Sequence, residues 1–345
     1  MLKNKEIAEI LKISPASVSL ALNNKHGVSE ETRRKVIALR NGSVASDYNE
    51  LQQLSSNASQ LLFLVLKKHG GVISDTPFFM QLSETLHQHS AVAGFGLQPF
   101  YTSPSEDLRT YLPSINADRY DGILVLGTEA TNDDIEEILS LKKPTVVLDA
   151  WFDSLKVDCV LMDNEKGIRT AVRHAYQQGH RRIGFVGSYV CANNFRDRFG
   201  AYRAEIAMLG LEYRPEYVYE VHGTVGGANE DMHRLLAEKR PLPTVFVCAN
   251  DLIAMGVMDA LVANGYSIPD DISIIGFDDM LVSAHLNPPL TSVGFYTRKI
   301  ARTAVDTLVE RIKRRDDSGE SMRCLISTEL RVRKSVRQLE PQTEI

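Results

Sequence analysis

Short apolar runs alternate along most of the chain with longer segments in which apolar residues recur every three or four positions. The short runs are typical of buried strands and the longer segments of amphipathic helices. Such regular alternation predicts parallel sheets covered by helices, an α/β architecture. Strands are predicted at 61–66, 94–101, 122–126, 145–149, 182–187, 244–249 and 273–276, with helices near 78–90, 131–141, 165–178, 196–209, 228–238, 251–264 and 297–313.

The first forty residues have a different pattern, with three short helices and no strand. A first helix is predicted over 4–11. Ser14 followed by Pro15 predicts a second helix ending near Leu22, because serine caps a helix and proline suits its first position. A third helix opens near Ser29. Such a unit suits a reader of the DNA major groove, although small three-helix units also serve other purposes.

A linker rich in Gly, Ser and Asn follows, and within it Asp47 is a suitable cap for a short helix reaching Leu54. The pattern therefore predicts three regions. They are a helix-turn-helix headpiece at 1–42, a linker at 43–60 that can hold a hinge helix, and a large domain at 61–340.

Composition and charge change this picture only slightly. The 345 residues are 43% hydrophobic, enough for more than one core. The net charge is −5, yet residues 1–40 hold 8 Lys and Arg against 4 Asp and Glu, which leaves 31 against 40 in the remainder. A basic amino-terminal region on an acidic chain agrees with a nucleic-acid partner for that region, and equally with an ordinary solvated surface.

Several classes of protein are not supported. The four cysteines lie far apart without metal-ligand spacing, so neither a disulfide framework nor zinc is predicted, and Asp278-Asp279 has no nearby ligands for another metal. No nucleophile elbow, Walker loop, GxGxxG after a strand or HExxH occurs, so we expect no enzyme and no cofactor. Without a membrane-spanning run or secretory segment, a cytoplasmic location is expected.

The headpiece carries a specific string of residues. Ile-Ser-Pro-Ala-Ser-Val-Ser at 13–19, then Leu-Asn-Asn at 22–24, Gly-Val-Ser at 27–29 and Glu-Thr-Arg at 31–33, closely resembles the lactose/galactose repressor family. The segments 268–279 and 288–293 extend the resemblance over the large domain and, through it, to periplasmic sugar-binding proteins. The resemblance implies an all-α helix-turn-helix headpiece joined to a two-lobed α/β domain of the periplasmic-binding-protein type with parallel sheets.

Carried over by position, the resemblance also implies how DNA is contacted. Leu20 stands where many members have arginine, so the operator preference is expected to differ from the common one. Leu54 takes the position of a minor-groove wedge, although the usual residues around the hinge are replaced here, and an ordinary linker leucine is the alternative. Base-edge contacts are implied for Pro15, Ala16 and Leu20, and phosphate contacts for Ser14, Ser17, Ser19, Asn23, His26 and Arg33.

Polar residues in the large domain follow predicted strands and should meet at one cleft between the lobes. Asp149, Asn250 and Asp278 each follow a strand, and Arg198 matches the effector-contacting arginine of the family. Simple helix caps are the alternative for these acidic and amide residues. Three aromatic side chains, Phe78, Phe79 and Trp151, are expected either to cover the apolar face of a sugar or nucleoside-like effector or to pack in the core.

These features predict a repressor whose affinity for a palindromic DNA operator is controlled by a small molecule. A homodimer is expected, because its two-fold symmetry matches that of a palindromic operator, and a tetramer is the alternative. The lobes are expected at 61–158 with 293–322 and at 159–290 with 323–335. Two alternatives are a small-molecule-binding protein without a role on DNA and a regulator whose co-effector is a carrier protein.

Overall fold

A computed structural model describes residues 8, 13–22, 28, 32–33, 36, 59–69, 77–104, 106–314 and 320–340. The chain divides into two compact units, Met1–Ala58 and Ser59–Ile345.

The amino-terminal unit contains helix α1, Pro15–Leu22. The Ser14 hydroxyl accepts a hydrogen bond from the Ser17 amide at 3.0 Å, which satisfies one of the free N–H groups at the helix start. Val18 and Ala21 are buried against Ala8 and Val36. The helix that the Ser-Pro pair predicts is therefore confirmed.

The larger unit alternates strands and helices. Its strands are β1 (Gln60–Val65), β2 (Gly96–Tyr101), β3 (Gly122–Leu126), β4 (Thr145–Leu148), β5 (Asp158–Met162), β6 (Ile183–Ser188), β7 (Val218–Val221), β8 (Val245–Cys248), β9 (Ser273–Phe277), β10 (Thr291–Phe295), β11 (Arg323–Ile326) and β12 (Thr328–Arg331). Its helices are α2 (Pro77–Val92), α3 (Leu108–Tyr111), α4 (Asn132–Leu139), α5 (Asn164–Gln177), α6 (Asn193–Met208), α7 (Val225–Ala237), α8 (Asp251–Ala263) and α9 (Thr297–Arg314).

The strands form two six-stranded sheets, one in each lobe. Their orders are β11-β5-β4-β3-β1-β2 and β12-β10-β9-β8-β6-β7. Every pairing is parallel except that of β12 with β10. Because parallel strands are buried on both faces, β3, β4, β5, β8 and β9 contain only buried residues. The predicted two-lobed α/β architecture with parallel sheets is confirmed.

The chain passes between the sheets three times, after β5, after β10 and between β11 and β12. These sheets differ from the lobe bounds that the sequence predicts. Residues 159–162 and 323–326 belong to the first sheet and 293–295 to the second, the reverse of the expected assignment. The reason is strand pairing. Strand β5 pairs with β4, β10 with β9 and β11 with β5, so in each case the chain crosses to the other sheet only after the strand ends.

In the part of the chain that the structure describes, no helix is both long and apolar enough to span a bilayer.

Candidate functional site

The carboxyl ends of strands from both sheets surround one small cavity of about 50 Å³. Small-molecule pockets typically enclose roughly 300–1,000 Å³. A sugar-sized ligand therefore has to be accompanied by movement of the lobes or of the lining side chains. The lining consists of Phe78, Thr128, Asp149, Met162, Ala192, Asn194, Phe195, Arg198, Asn250, Asp278 and Phe295.

Arg198 on α6 is the central cation of this cavity, with only 1% of its surface exposed. Its guanidinium donates to the Ala249 carbonyl at 2.6 Å and to the Asn164 side-chain oxygen at 2.9 Å. It lies 3.5 Å from an Asp278 carboxylate oxygen and packs over the Phe277 ring at 3.7 Å. These contacts fix the guanidinium in one orientation, as recognition of a polar ligand requires.

Asp149 and Asp278 approach the cavity from opposite sheets. Asp149 follows β4 with φ of 62°, and Asp278 follows β9 with φ of 110°. Residues other than glycine seldom adopt positive φ, and such backbone strain is often found at ligand sites. Burial raises the pKa of Asp278 to about 7, against the opposing effect of Arg198, and it raises the pKa of Asp149 to about 6. Both carboxyls therefore titrate near neutral pH.

Two buried acceptor atoms in the cavity wall have no hydrogen-bond partner: Oδ1 of Asp149 and Oδ1 of Asn194. The other Asp149 oxygen accepts from the Thr128 hydroxyl at 2.7 Å and from the Asn194 amide at 3.3 Å. Buried polar atoms are normally paired, because an unpaired one loses its hydration without compensation. A ligand that donates hydroxyl hydrogens would satisfy both atoms.

Asn250 has two roles in the structure. Its side-chain oxygen accepts from the Ile253 amide at 2.9 Å, so it caps α8, the alternative that the sequence left open. It also lines the cavity. The neighbouring Asp251 is instead enclosed by Ser283 and Ser292, whose hydroxyls donate to it, and is part of the framework.

The three aromatic residues expected at the site separate. Phe78 lines the cavity and meets Phe295 edge-to-face at 5.5 Å. Phe79 lies in the core of the first lobe against Phe63 and Tyr101, because adjacent residues of α2 point to different sides of the helix. Of the two roles that the sequence left open for Phe79, the structure shows packing in the core and not lining of the cavity.

Trp151 does not line the small cavity either. It lies in an adjacent groove of about 390 Å³, where its indole nitrogen donates to Asp197 at 3.2 Å. The Arg323 guanidinium stacks on the ring at 3.7 Å. Trp151 is only two residues beyond Asp149, yet Asp149 lines the cavity and Trp151 lines the groove.

Sequence reasoning missed several lining residues, and two of them had a usable signal. Thr128 follows β3 as Asp149 follows β4, so both lie at the carboxyl edge of neighbouring strands. Asn194 lies four residues before Arg198 and so on the same face of α6. Phe195, Phe295, Met162 and Ala192 gave no such signal, since apolar residues at strand and helix ends are ordinary core residues.

In the amino-terminal unit, Ser14 and Pro15 are exposed, and Ser17, Ser19 and Leu20 are half-buried on α1, which also contains Ala16. Arg33 is buried, and its guanidinium donates to the Ala21 carbonyl at 3.4 Å, so its contact with phosphate stays a prediction. Asn23, His26 and Leu54 lie outside the described residues. The described ranges contain no group of three or more His, Cys, Asp or Glu residues that could hold a metal ion.

Comparison with known proteins agrees with this architecture. Residues 172–336 match the model of the periplasmic binding protein-like domain. The HTH-type transcriptional repressor PurR of Haemophilus influenzae strain PittEE is 29% identical over 341 residues, covering 97% of this chain and 98% of that protein.

Two solved structures show the same fold over the whole length. The transcriptional regulator CelR in complex with cellobiose has a TM-score of 0.72 at 23% identity. The match covers 97% of this chain and 100% of the CelR chain. The lac repressor dimer bound to operator and the anti-inducer ONPF also has a TM-score of 0.72, at 22% identity, covering 97% of this chain and 99% of that one.

The repressor-like helix start in the headpiece, the paired parallel sheets and the full-length match to a repressor lead to one conclusion. The chain is similar over nearly its whole length to transcriptional repressors, and it has the fold of the lactose/galactose repressor (LacI/GalR) family.

Proposed function

We propose that this repressor binds a palindromic operator as a homodimer and that an uncharged, polyhydroxylated small molecule between the lobes controls its affinity for DNA. A headpiece at 1–42 and a linker at 43–60 would carry the DNA contacts, and the protein would act where the chromosome lies, in the cytoplasm. The observation that carries the effector proposal is the pair of unpartnered acceptors, Asp149 Oδ1 and Asn194 Oδ1, in a cavity shared by both lobes.

The chemistry of the cavity favours a sugar or nucleoside-like effector. Carboxylates accept hydrogen bonds from hydroxyl groups, and the amide and guanidinium groups of Asn194 and Arg198 donate to ring and hydroxyl oxygens. The rings of Phe78, Phe195 and Phe295 supply an apolar surface of the kind that sugars and bases pack against. Two carboxyls against one guanidinium disfavour a phosphorylated ligand, because its charge would add to theirs.

Control of DNA binding follows from the position of the cavity. Residues of both lobes line the cavity, so a ligand that contacts both lobes changes the free energy of one lobe orientation relative to another. A change in that orientation alters how two linked headpieces meet two half-sites. The relative CelR is known as a cellobiose complex, and the lac repressor as a complex with operator, which supports both halves of the proposal.

A two-stage experiment tests this function. D-ribose, cellobiose, adenosine and related sugars and nucleosides are screened by thermal shift, and a compound present at about 100 times its dissociation constant should stabilise the fold by about 2.7 kcal/mol. The stabilising compound is then added to gel shifts with fragmented genomic DNA. We expect a salt-sensitive, sequence-specific complex whose affinity changes with the compound.

The control variants are Asp278→Ala, which should lose the thermal shift but keep DNA binding, and Asp118→Asn on the exposed surface, which should keep both. Ligand binding without any specific DNA complex would instead identify a small-molecule-binding protein with no role on DNA. A specific complex that no sugar or nucleoside alters would reject the proposed effector class.

A further inference from the structure

The first turn of α6 makes several hydrogen bonds to the opposite lobe. The Asn193 side-chain amide donates to the carbonyls of Gly127 and Ala130, both at 2.9 Å, and the Asn193 backbone amide donates to the Thr128 carbonyl at 2.9 Å. These three carbonyls lie between β3 and α4 of the first lobe, whereas α6 follows β6 of the second.

Two side-chain contacts extend this set along α6. The Asn194 amide donates to Asp149 at 3.3 Å, and the Trp151 indole donates to Asp197 at 3.2 Å. We call Asn193, Asn194 and Asp197 with their first-lobe partners the α6 clasp. Five hydrogen bonds therefore join one helical turn to the first lobe across the cleft, away from the three crossings.

The clasp also supplies what α6 lacks at its own start. Helix N-termini leave N–H groups without intrahelical partners, and a side chain at the cap position usually accepts one of them. The cap residue here is Ala192, which makes no side-chain cap, and the Thr128 carbonyl of the other lobe accepts from the first amide instead. Separating the lobes would thus uncap α6.

The accepting loop is held in place independently of α6. One Glu129 carboxylate oxygen accepts from the backbone amides of Lys68 and His69 at 2.6 and 2.9 Å. A side chain at Gly127 would overlap Val147, so the backbone comes close to the sheet there. Preorganised acceptors lose little freedom when the clasp forms, which strengthens the interaction.

We propose that Asn193 is a positioning residue that holds the two lobes closed and, through α6, aligns Asn194, Phe195 and Arg198 in the effector cavity. An asparagine is required because both amide hydrogens are used, one on each carbonyl. The volume of the cavity is only about 50 Å³, so a larger ligand requires the lobes to move apart. The clasp opposes that movement, and its stability therefore sets how readily the cavity opens. The identification of the cavity as an effector site rests on the proposed function. The role of Asn193 in holding the lobes together does not depend on it.

The test compares Asn193→Asp with Asn132→Asp in the full-length chain. Both residues are the first of a helix, where a negative charge is favourable, but the Asn132 amide donates to Ser154 within the first lobe. Asn193→Asp keeps the size of the side chain and removes its donors. Asn193→Ser keeps one donor and should give an intermediate effect.

The readouts are hydrogen exchange by mass spectrometry and acrylamide quenching of Trp151, the single tryptophan of the chain. In Asn193→Asp we expect exchange at 193–197 to rise about tenfold or more and Trp151 to be quenched more strongly, with α5 and α8 unchanged. Unchanged exchange at 193–197, or a uniform rise over both lobes as from general destabilisation, would overturn the proposal. No effector is added, so failure of the ligand screen and failure of the clasp are separate results.

Discussion

In the cavity wall Asp149 is buried and Asp278 is half-buried. Both adopt positive φ, and both have a raised pKa, about 6 for Asp149 and about 7 for Asp278. Any one of these properties would be unfavourable for an aspartate with no further role. Their combination at the two sides of one cavity favours a binding role, because a ligand that donates hydrogen bonds recovers part of the cost.

The raised pKa of Asp278 makes stability depend on pH in a defined direction. Its pKa rises from 3.8 in the ordinary carboxyl to about 7 in the folded protein, so the native state holds the proton more tightly than the unfolded chain. Stability therefore falls as the pH rises from about 4 to 7. Asp278→Asn cannot ionise at this position and should not show this fall. Between pH 5 and 8, the free energy of unfolding should therefore fall by roughly 1–3 kcal/mol less in the variant than in the wild type.

Denaturant unfolding at a series of pH values measures this difference, with the exposed Asp118→Asn as the matched control. Parallel pH profiles for all three proteins would show that Asp278 is ionised in the folded state at every pH tested.

Effector binding should depend on the same carboxyls in the opposite sense. Only the ionised form accepts hydroxyl hydrogens at both oxygens, and the pKa values of Asp149 and Asp278 are about 6 and about 7. For a neutral effector, lowering the pH from 8 to 5.5 should weaken binding by about tenfold. Titration calorimetry across this range is the measurement, and affinity independent of pH would contradict hydrogen bonding to these groups.

At the scale of elements, α6 carries both the clasp and the cavity arginine, and its glycine offers a simple test of the helix. Gly200 is exposed on α6, and a Cβ added there would meet nothing within 4 Å. Because glycine lowers helix stability, Gly200→Ala should raise the free energy of unfolding by about 0.5–1 kcal/mol. Gly256 on α8 is the contrast, since a Cβ there would overlap the backbone of Val225, and Gly256→Ala should destabilise. Equal effects of the two changes in thermal unfolding would contradict this placement of the helices.

The headpiece helix α1 permits a variant that separates folding from DNA binding. Ser17 bonds to the capping Ser14, and an aspartate in the first helical turn interacts favourably with the helix dipole, so Ser17→Asp should leave the headpiece folded. The added charge would face DNA phosphates if α1 enters the major groove, and we expect operator binding to fall by at least tenfold. Ser17→Asn is the uncharged control, and unchanged binding by Ser17→Asp would remove α1 from the interface.

The sequence predicted the elements that carry a complete local signal. The Ser-Pro start of α1 and the long amphipathic helices were found because cap and periodicity lie within the same few residues. The sequence did not predict strand β5, because the strand begins with Asp158 and a charged residue is typical of a loop. In the fold this carboxylate is buried and receives two hydrogen bonds from Arg311, which is 153 positions away and so invisible to a local pattern.

The same limit applies to the candidate site. Polar residues directly after strands, such as Asp149 and Asp278, were found because the carboxyl ends of parallel strands meet at one edge. The choice between Phe78 and Phe79, and the contacts of Asn193 with the opposite lobe, depend on helix rotation and lobe closure. These are properties of tertiary packing, which no single segment encodes.

In the whole molecule, opening of the lobes and ligand binding are coupled equilibria, because both lobes line the cavity. The lobes share a cavity and a clasp, so the closed arrangement is stabilised by contacts that a ligand can strengthen or break. In the proposed function the headpieces need no contact with the ligand, because a change in the lobe equilibrium would be enough to alter how a dimer fits its operator.

The most direct test selects bound duplexes from a random DNA library with the full-length protein and then titrates the selected sequence with and without the stabilising compound from the screen. We predict one inverted repeat with half-sites about one helical turn apart. Its affinity should change by about tenfold or more with the compound in the wild type, and not in Asp278→Ala. A library with no enriched sequence, or an affinity that the bound compound leaves unchanged, would contradict the account.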